Sequence, residues 1–174
     1  MSKDARLFEA AEGYLELGLG KPAFDSLEQL SAEAKQEERF LYHSLVAESL
    51  RLLERYDEAL PHLLAAKEER PTAIPTYVGL GWCYKRTGRL TKAIEALEEA
   101  EQVARSHDVP SHLALILYNL ACYHSLEGDK EKMLGRLREA ISIDDAYRRG
   151  IADETDFDPF RNDPVFVQLV SEIV

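Results

Sequence analysis

Apolar and small residues recur along the chain at a helical spacing, and the same pattern returns in four copies. Each copy has a small residue (methionine in the fourth), a leucine four positions later and a further small or apolar residue three positions after that. These three positions share one face of a helix. The copies begin at Ala23, Ala59, Ala93 and Met133, at spacings of 36, 34 and 40 residues. Such a period predicts stacked pairs of helices.

A second helix precedes each of these segments and contains a small residue that would allow close packing. These small residues are Ala11, Ala47, Gly81 and Ala121, and the inward-facing large residues three positions later are Tyr14, Leu50, Tyr84 and His124. The turn between the two helices holds Gly18, Gly88 and Gly128 in three copies and Glu54 in the other. Glycine at this place provides a positive φ, which ends the first helix. We therefore expect four helical hairpins, at about residues 4–37, 40–73, 74–107 and 114–147.

The third hairpin resembles a tetratricopeptide repeat, a helix-turn-helix unit of roughly 34 residues. The resemblance rests on Tyr77-x2-Leu80-Gly81-x2-Tyr84, then Gly88, then Ala93-x3-Leu97-x2-Ala100. It implies an all-α fold, a right-handed superhelix of four repeats over residues 1–146. It also implies a non-catalytic role in binding other proteins.

The C-terminal part is similar to the terminal unit of bacterial tetratricopeptide arrays, the end-of-group type. Residues 118–129 read YNLACYHSLEGD and residues 156–166 read DFDPFRNDPVF, with Phe160 and Asn162 as mild departures from that type. The resemblance implies that residues 147–174 form an acidic connector and a capping helix within the same domain. The apolar face of this helix would be Phe166, Leu169, Val170 and Ile173, and it would close the open end of the repeat stack.

In tetratricopeptide arrays the first helices of successive repeats line a concave groove, where partners are commonly bound. The resemblance implies contact sites at Phe8, Glu12, Ser44, Glu48, Arg51, Val78, Trp82, Lys85, Tyr118 and Cys122. Aromatic and arginine side chains often dominate binding energy, because they bury much area for little entropy. The alternative is that Phe8, Trp82 and Tyr118 pack between neighbouring helices and that the charges form an ordinary solvated face.

The charge balance narrows the class of partner. The chain has 21 Lys and Arg against 32 Asp and Glu, a net charge of -11. Because this charge repels phosphate backbones and anionic lipids, we expect neither nucleic acid nor a membrane surface as partner. The first residues contain no apolar run that would form a signal peptide or an anchor, so we expect a cytoplasmic protein. Two cysteines, Cys83 and Cys122, are too few for a disulfide framework.

No fragment has the complete pattern of a catalytic or cofactor site. Residues 79–84 lack the third glycine of a dinucleotide loop, and residues 18–21 lack the earlier glycine of a phosphate loop. The five histidines show no metal-ligand spacing, and the acidic cluster around Asp156 lacks the glycine of a calcium loop. We therefore expect no enzyme activity, no metal and no cofactor.

The most concrete hypothesis is a small bacterial cytoplasmic adaptor that holds a peptide or a helix of another protein in its groove. Two alternatives remain open at this point. A secretion-type chaperone would form a homodimer and protect an unfolded client. A regulatory subunit would serve a signalling enzyme such as a kinase or a cyclase.

Overall fold

The computed structural model describes residues 1–171, and within this range the regular structure is entirely helical. The eleven α-helices in this range are α1 (Lys3–Glu16), α2 (Gly20–Glu28), α3 (Ala32–Glu37), α4 (Arg39–Leu52), α5 (Tyr56–Glu69), α6 (Ile74–Arg86), α7 (Leu90–Ser106), α8 (Pro110–Glu127), α9 (Lys130–Ile143), α10 (Ala146–Gly150) and α11 (Pro164–Ser171). A 3₁₀ helix spans Thr155–Phe160. The predicted all-α fold class is confirmed.

The chain divides into two compact units, Met1–Arg89 and Leu90–Val174. In the first unit α1 pairs with α2, α4 pairs with α5, and α6 packs against α5. In the second unit α8 packs against both α7 and α9, and the 3₁₀ helix lies on α8. The four repeats and the C-terminal connector, as bounded from the sequence, stay a prediction.

The turns after the first helices have the predicted left-handed backbone. The φ angles are 70° at Gly18, 74° at Gly88 and 85° at Gly128. Glu54 replaces glycine in the turn between α4 and α5, and it adopts the same conformation with a φ of 58°. Because a side chain makes this conformation costly, the turn geometry is imposed by the packing of the two helices that it joins.

The core of the first unit consists of the small and apolar residues that recur in the repeat pattern. Ala11, Ala23, Ala47 and Ala59 are buried, so neighbouring helices approach closely, and Leu27, Leu50 and Leu63 fill the space between them. Tyr14 was expected to face inward, but 37% of it is exposed. The aromatic ring is therefore on the surface of α1, outside this core.

The short helix α3 is an element that the repeat pattern does not predict. Ser31 caps it, since its Oγ accepts a hydrogen bond of 3.1 Å from the amide of Ala34. The carboxylate of Asp4 accepts bonds of 3.0 Å from both the amide and the hydroxyl of Ser31. The start of α1 is thereby tied to the start of α3, and these two bonds lower the pKa of Asp4.

The C-terminal segment folds back onto the second unit. Phe157 of the 3₁₀ helix is fully buried, with its ring centroid 5.8 Å from that of Tyr118 and 5.5 Å from that of Phe166 in α11. Arg161 fastens the connector by donating to the carbonyl oxygens of Ala152 at 2.7 Å and Glu154 at 2.8 Å. Phe166 and Leu169 of α11 are buried as predicted, and Val170, from the same predicted face, is half-buried. Ile173, which was assigned to the same face, lies outside the described residues.

Candidate protein-binding groove

A groove lies between α4 and α6 in the first unit, with a cavity volume of about 340 Å³. Its lining consists of Phe40, Ser44, Ala47, Glu48, Arg51, Leu63, Ala73, Pro75, Thr76, Gly79 and Cys83. A second cavity of about 260 Å³ shares Glu48, Arg51, Pro75 and Gly79 with the first and adds Val78 and Trp82. We refer to the two cavities together as the α4–α6 groove. The first cavity by itself is at the lower end of the range for ligand pockets, which is about 300–1,000 Å³.

The groove is open because small residues stand where its walls meet. A Cβ atom added at Gly79 would lie 2.9 Å from the Cδ2 atom of Leu63, which is too close for undisturbed packing. Glycine at this position lets α6 approach Leu63 of α5 closely. Most of the lining is apolar, so the groove can bury apolar groups of a partner.

Two polar groups in the groove have unused hydrogen-bonding capacity. The hydroxyl of Ser44 is buried and has no hydrogen-bond partner within residues 1–171. Arg51 donates from Nε and Nη2 to the carboxylate of Glu48, at 2.8 and 2.5 Å, while its Nη1 donates to no residue that the structure describes. This pairing, more than any other interaction, raises the pKa of Arg51. A bound group could satisfy both donors.

The described groove lining contains a buried thiol and a carboxylate that is paired with an arginine. Cys83 is fully buried, and burial raises the pKa of its thiol to about 11. The thiol is therefore protonated near neutral pH and is a poor nucleophile. The carboxylate in the described groove lining is Glu48, which is already paired with Arg51. The same lining contains no histidine.

Five of the predicted contact residues line this groove: Ser44, Glu48, Arg51, Val78 and Trp82. Trp82 is the most prominent of them, since 41% of it is exposed. Lys85 follows Trp82 by three residues on α6 and has an interaction partner within the protein. On α1, Glu12 is exposed, whereas Phe8 is buried in the core of the first unit.

The predicted contact residues of the second unit are covered by the chain itself. The ring of Tyr118 is 5.0 Å from that of Tyr147 and close to Phe157, as described above. Burial, followed by the nearby thiol of Cys122, raises the pKa of Tyr118 well above its usual range. Cys122 is 2% exposed. The structure therefore places Tyr118 and Cys122 under the C-terminal segment, where they offer a partner little surface.

Repeat comparison alone did not identify the floor of the groove. The residues missed are Phe40, Ala47, Leu63, Ala73, Pro75, Thr76, Gly79 and Cys83. The sequence does contain one indication of this floor, since Thr76, Gly79 and Cys83 follow one another at spacings of three and four residues on α6. A stripe of small side chains at helical spacing indicates either close packing or an open surface.

One group of metal-ligating side chains lies in the second unit. Single ligand atoms of Cys122, Glu154 and Asp156 lie within 4.8 Å of one another. These side chains already have other roles: Glu154 accepts a hydrogen bond of 3.1 Å from the amide of Asp156 and caps the 3₁₀ helix, and Cys122 and Asp156 also have partners within the protein. Glu154 therefore serves as the cap of the 3₁₀ helix.

Comparison with known families finds a match for the middle part of the chain. Residues 38–106, which include both walls of the groove, match the family model of the tetratricopeptide repeat. This middle part of the chain is therefore similar to tetratricopeptide repeats. Anaphase-promoting complex subunit 3 of Dictyostelium discoideum is 43% identical over 47 residues, which make up 27% of this chain and 5% of that protein. The match therefore spans only a small part of that relative.

Solved structures with tetratricopeptide-like folds are similar to this chain over most of its length. MamA of Desulfovibrio magneticus RS-1 has a TM-score of 0.70 at 17% identity, covering 82% of this chain and 76% of its own. A putative kinesin light chain of Podosopora anserina has a TM-score of 0.73 at 16% identity, covering 97% and 94%. A Rap protein complexed with competence and sporulation factor has a TM-score of 0.73 at 18% identity, covering 96% of this chain and 51% of its own.

These likenesses confirm the predicted fold class, an α-α tetratricopeptide solenoid. The assignment of the last repeat to the bacterial end-of-group type stays a prediction. None of the described helices combines the length and the hydrophobicity that crossing a membrane requires.

Proposed function

We propose that this chain is a non-catalytic adaptor that holds a peptide or a helix of a partner protein in the α4–α6 groove. The observation that carries the proposal is the groove itself, an apolar cleft in which the Ser44 hydroxyl and the Arg51 Nη1 have no partner among the described residues. Tetratricopeptide proteins as a class act in protein interaction, which supports an adaptor role in general. The groove-bound segment is the specific part of the proposal.

Trp82 is the residue that we expect to contribute most to binding. It lies at one end of the groove with 41% of its surface exposed, so a partner can bury a large aromatic area there. Tryptophan is among the residues that most often dominate interface energetics. The Glu48–Arg51 pair beside it presents charges of both signs, which can fix the position of a partner through complementary hydrogen bonds.

One structural neighbour supports a ligand-binding role for this fold. The Rap protein was solved in complex with competence and sporulation factor. A protein of which about half has a fold similar to that of this chain was therefore solved with a bound factor. For this chain we propose a protein or peptide partner in the cytoplasm, because its net charge of -11 disfavours nucleic acid and anionic lipid surfaces.

The test begins with capture of the partner through the groove. A photo-crosslinking amino acid replaces Val78, which lines the groove, and the control carries it at Glu95, an exposed position of α7. A protein that crosslinks through position 78 and not through position 95 is then purified. Its binding to the whole chain is followed by the emission of Trp82, the only tryptophan.

We expect Trp82→Ala to weaken this binding by at least about 2 kcal/mol, or roughly 30-fold in Kd. Gly79→Leu should weaken it as well, because Gly79 lines both cavities and the added side chain would displace Leu63, another lining residue. Leu126→Ala is the control, since Leu126 has the same exposed fraction as Trp82, 41%, but lies in α8. Calorimetry with each variant measures the affinities. Equal binding by the wild type, Trp82→Ala and Gly79→Leu would refute the proposal.

A further inference from the structure

Two histidines of the hairpin formed by α4 and α5 face each other. The Nδ1 atoms of His43 and His62 are 2.9 Å apart, their ring centroids are 5.0 Å apart, and the ring planes are inclined by 52°. The ring of Tyr42 covers the pair, at 5.2 Å from His43 and 6.0 Å from His62. Neither histidine belongs to the lining of the α4–α6 groove. The proposed binding of a partner in the groove therefore does not involve this pair of histidines.

The separation of the two nitrogens matches the coordination geometry of a metal ion. Imidazole nitrogens bind such ions at about 2.0–2.1 Å, so two of them at a right angle lie about 2.9 Å apart. Right-angle coordination by nitrogen is typical of Cu²⁺ and Ni²⁺, whereas tetrahedral Zn²⁺ requires a wider separation. We propose that His43 and His62 form a site for a divalent ion of this kind, bound through both Nδ1 atoms.

The protons of the pair balance without an additional acid or base. In the neutral pair one Nδ1 carries a hydrogen that it donates to the other Nδ1, and the acceptor ring carries its hydrogen on Nε2. Metal binding moves the hydrogen of the donor ring to its own Nε2, so that both Nδ1 lone pairs face the ion. No net proton leaves the neutral pair. Both rings are half-buried, and water can reach the remaining coordination positions.

The surroundings keep the two rings in the neutral form that a metal requires. Burial and then the Arg39 guanidinium lower the pKa of His43, and burial and then His43 lower the pKa of His62. Two carboxylates have the opposite effect on these pKa values: Glu69 raises the pKa of His43, and Glu28 raises the pKa of His62. These negative charges, from α5 and α2, favour a cation between the rings. Arg39 is itself paired with Glu69 at 3.1 Å, which limits its repulsion of a bound ion.

A metal at this place would join α4 to α5. Because α4 forms one wall of the α4–α6 groove and α5 supplies Leu63 to its side, the ion would stiffen the hairpin that carries the groove. An ion that binds only the folded state stabilises it, and this stabilisation grows with the logarithm of the ratio of ion concentration to Kd once that ratio exceeds one.

Calorimetric titration of the whole chain with CuCl₂, NiCl₂ and ZnCl₂ tests the proposal, with EDTA-treated protein as the starting material. We expect one ion per chain and tighter binding of Cu²⁺ than of Zn²⁺. His43→Gln and His62→Gln should each weaken the binding by more than the 10- to 100-fold that outer-shell changes cost at metal sites. His107→Gln is the matched control, since His107 is exposed and lies in the second unit. It should bind as the wild type does.

Electron paramagnetic resonance of the Cu²⁺-loaded wild type provides a readout that needs no variant. Its hyperfine structure should show two equatorial imidazole nitrogens. The proposal is overturned if no saturable binding occurs, if Zn²⁺ binds more tightly than Cu²⁺, or if either glutamine variant binds Cu²⁺ as well as the wild type. Circular dichroism of the variants in EDTA verifies that they are folded. A loss of metal binding then results from the missing imidazole and not from unfolding.

Discussion

Gly79 illustrates how a single absent side chain shapes the groove. In a helix interior, glycine is less favourable than alanine by about 1 kcal/mol, so its presence there needs a packing reason. The reason is the contact with Leu63, whose Cδ2 would lie 2.9 Å from a Cβ atom at position 79. Gly135 in α9 is a helical glycine without such a neighbour, because a Cβ there would have open space around it.

These two glycines should therefore respond differently to the same change. We expect Gly135→Ala to raise the free energy of unfolding by about 0.5–1 kcal/mol, the full gain in helix propensity. Gly79→Ala should gain less or lose stability, since Leu63 has to move. Urea unfolding of both variants, followed by circular dichroism, measures the difference. A larger gain at position 79 than at position 135 would contradict the packing account of Gly79.

Glu54 occupies a turn position where the other repeats have glycine. Its φ of 58° places a side chain in the left-handed region, which costs about 1–2 kcal/mol for most residues. We expect Glu54→Gly to raise the free energy of unfolding by about 0.5 kcal/mol, because part of the relief is offset by the greater freedom of glycine in the unfolded chain.

The reverse change at Gly88 is the matched control. This glycine has a φ of 74°, and a Cβ atom at this position would have open space around it. Gly88→Ala should therefore cost about 1 kcal/mol through backbone strain alone. Chemical denaturation measures both variants under the same conditions. If Glu54→Gly destabilised the protein, the side chain of Glu54 would have a stabilising contact that outweighs the strain.

At the scale of the element, the hairpin of α4 and α5 should make stability depend on pH. The folded state lowers the pKa of both His43 and His62 below the ordinary value of 6.5. Between the lowered pKa of the folded state and the ordinary value of 6.5, the unfolded chain binds more protons than the folded chain. The free energy of unfolding therefore rises with pH in this range and falls when the pH drops below about 6.5. Urea unfolding from pH 7.5 to pH 5 in EDTA should show this loss.

His62→Gln provides the comparison for the pH series. With one imidazole removed, fewer groups are protonated on unfolding, so the slope of stability against pH should become shallower in the same range. His107→Gln, which alters an exposed histidine, should keep the slope of the wild type. Identical slopes for the wild type and His62→Gln would show that the pair does not contribute.

The 3₁₀ helix is the second element with a clear energetic role. Phe157 is fully buried between Tyr118 and Phe166. We expect Phe157→Ala to lower the free energy of unfolding by about 3–5 kcal/mol, the usual cost of removing a buried phenylalanine. Val165→Ala in the neighbouring helix should change it by less than about 0.5 kcal/mol, because Val165 is 40% exposed. Thermal and urea unfolding of both variants measure these two changes in stability.

At the scale of the whole molecule, the two units differ in what they offer a partner. The first unit has an open groove lined by five of the predicted contact residues. In the second unit, the equivalent positions on α8, Tyr118 and Cys122, are covered by the chain's own connector. We therefore expect contacts with a partner to map to residues 1–89. Crosslinks that cluster on α8 instead would argue against this division.

The sequence by itself determined the long paired helices, the left-handed glycine turns and the recurring core, because these depend on short-range periodicity and on the backbone preference of glycine. It also placed Glu48, Arg51 and Trp82 on one surface, since repeats of similar length present equivalent helix faces. The prediction of Tyr14 as an inward residue was wrong, because the repeat pattern does not show which side of α1 remains exposed.

Only the tertiary structure decided which faces stay open. Tyr118 and Cys122 are covered by residues about 30 to 40 positions further along the chain. The sequence predicted a capping role for that segment, but not that it would cover these two side chains. His43 and His62 are 19 residues apart in sequence and show no known ligand spacing, yet the packing of α4 on α5 brings their nitrogens to 2.9 Å. Contacts of this kind depend on how whole helices pack against each other, which the residue pattern within one helix does not specify.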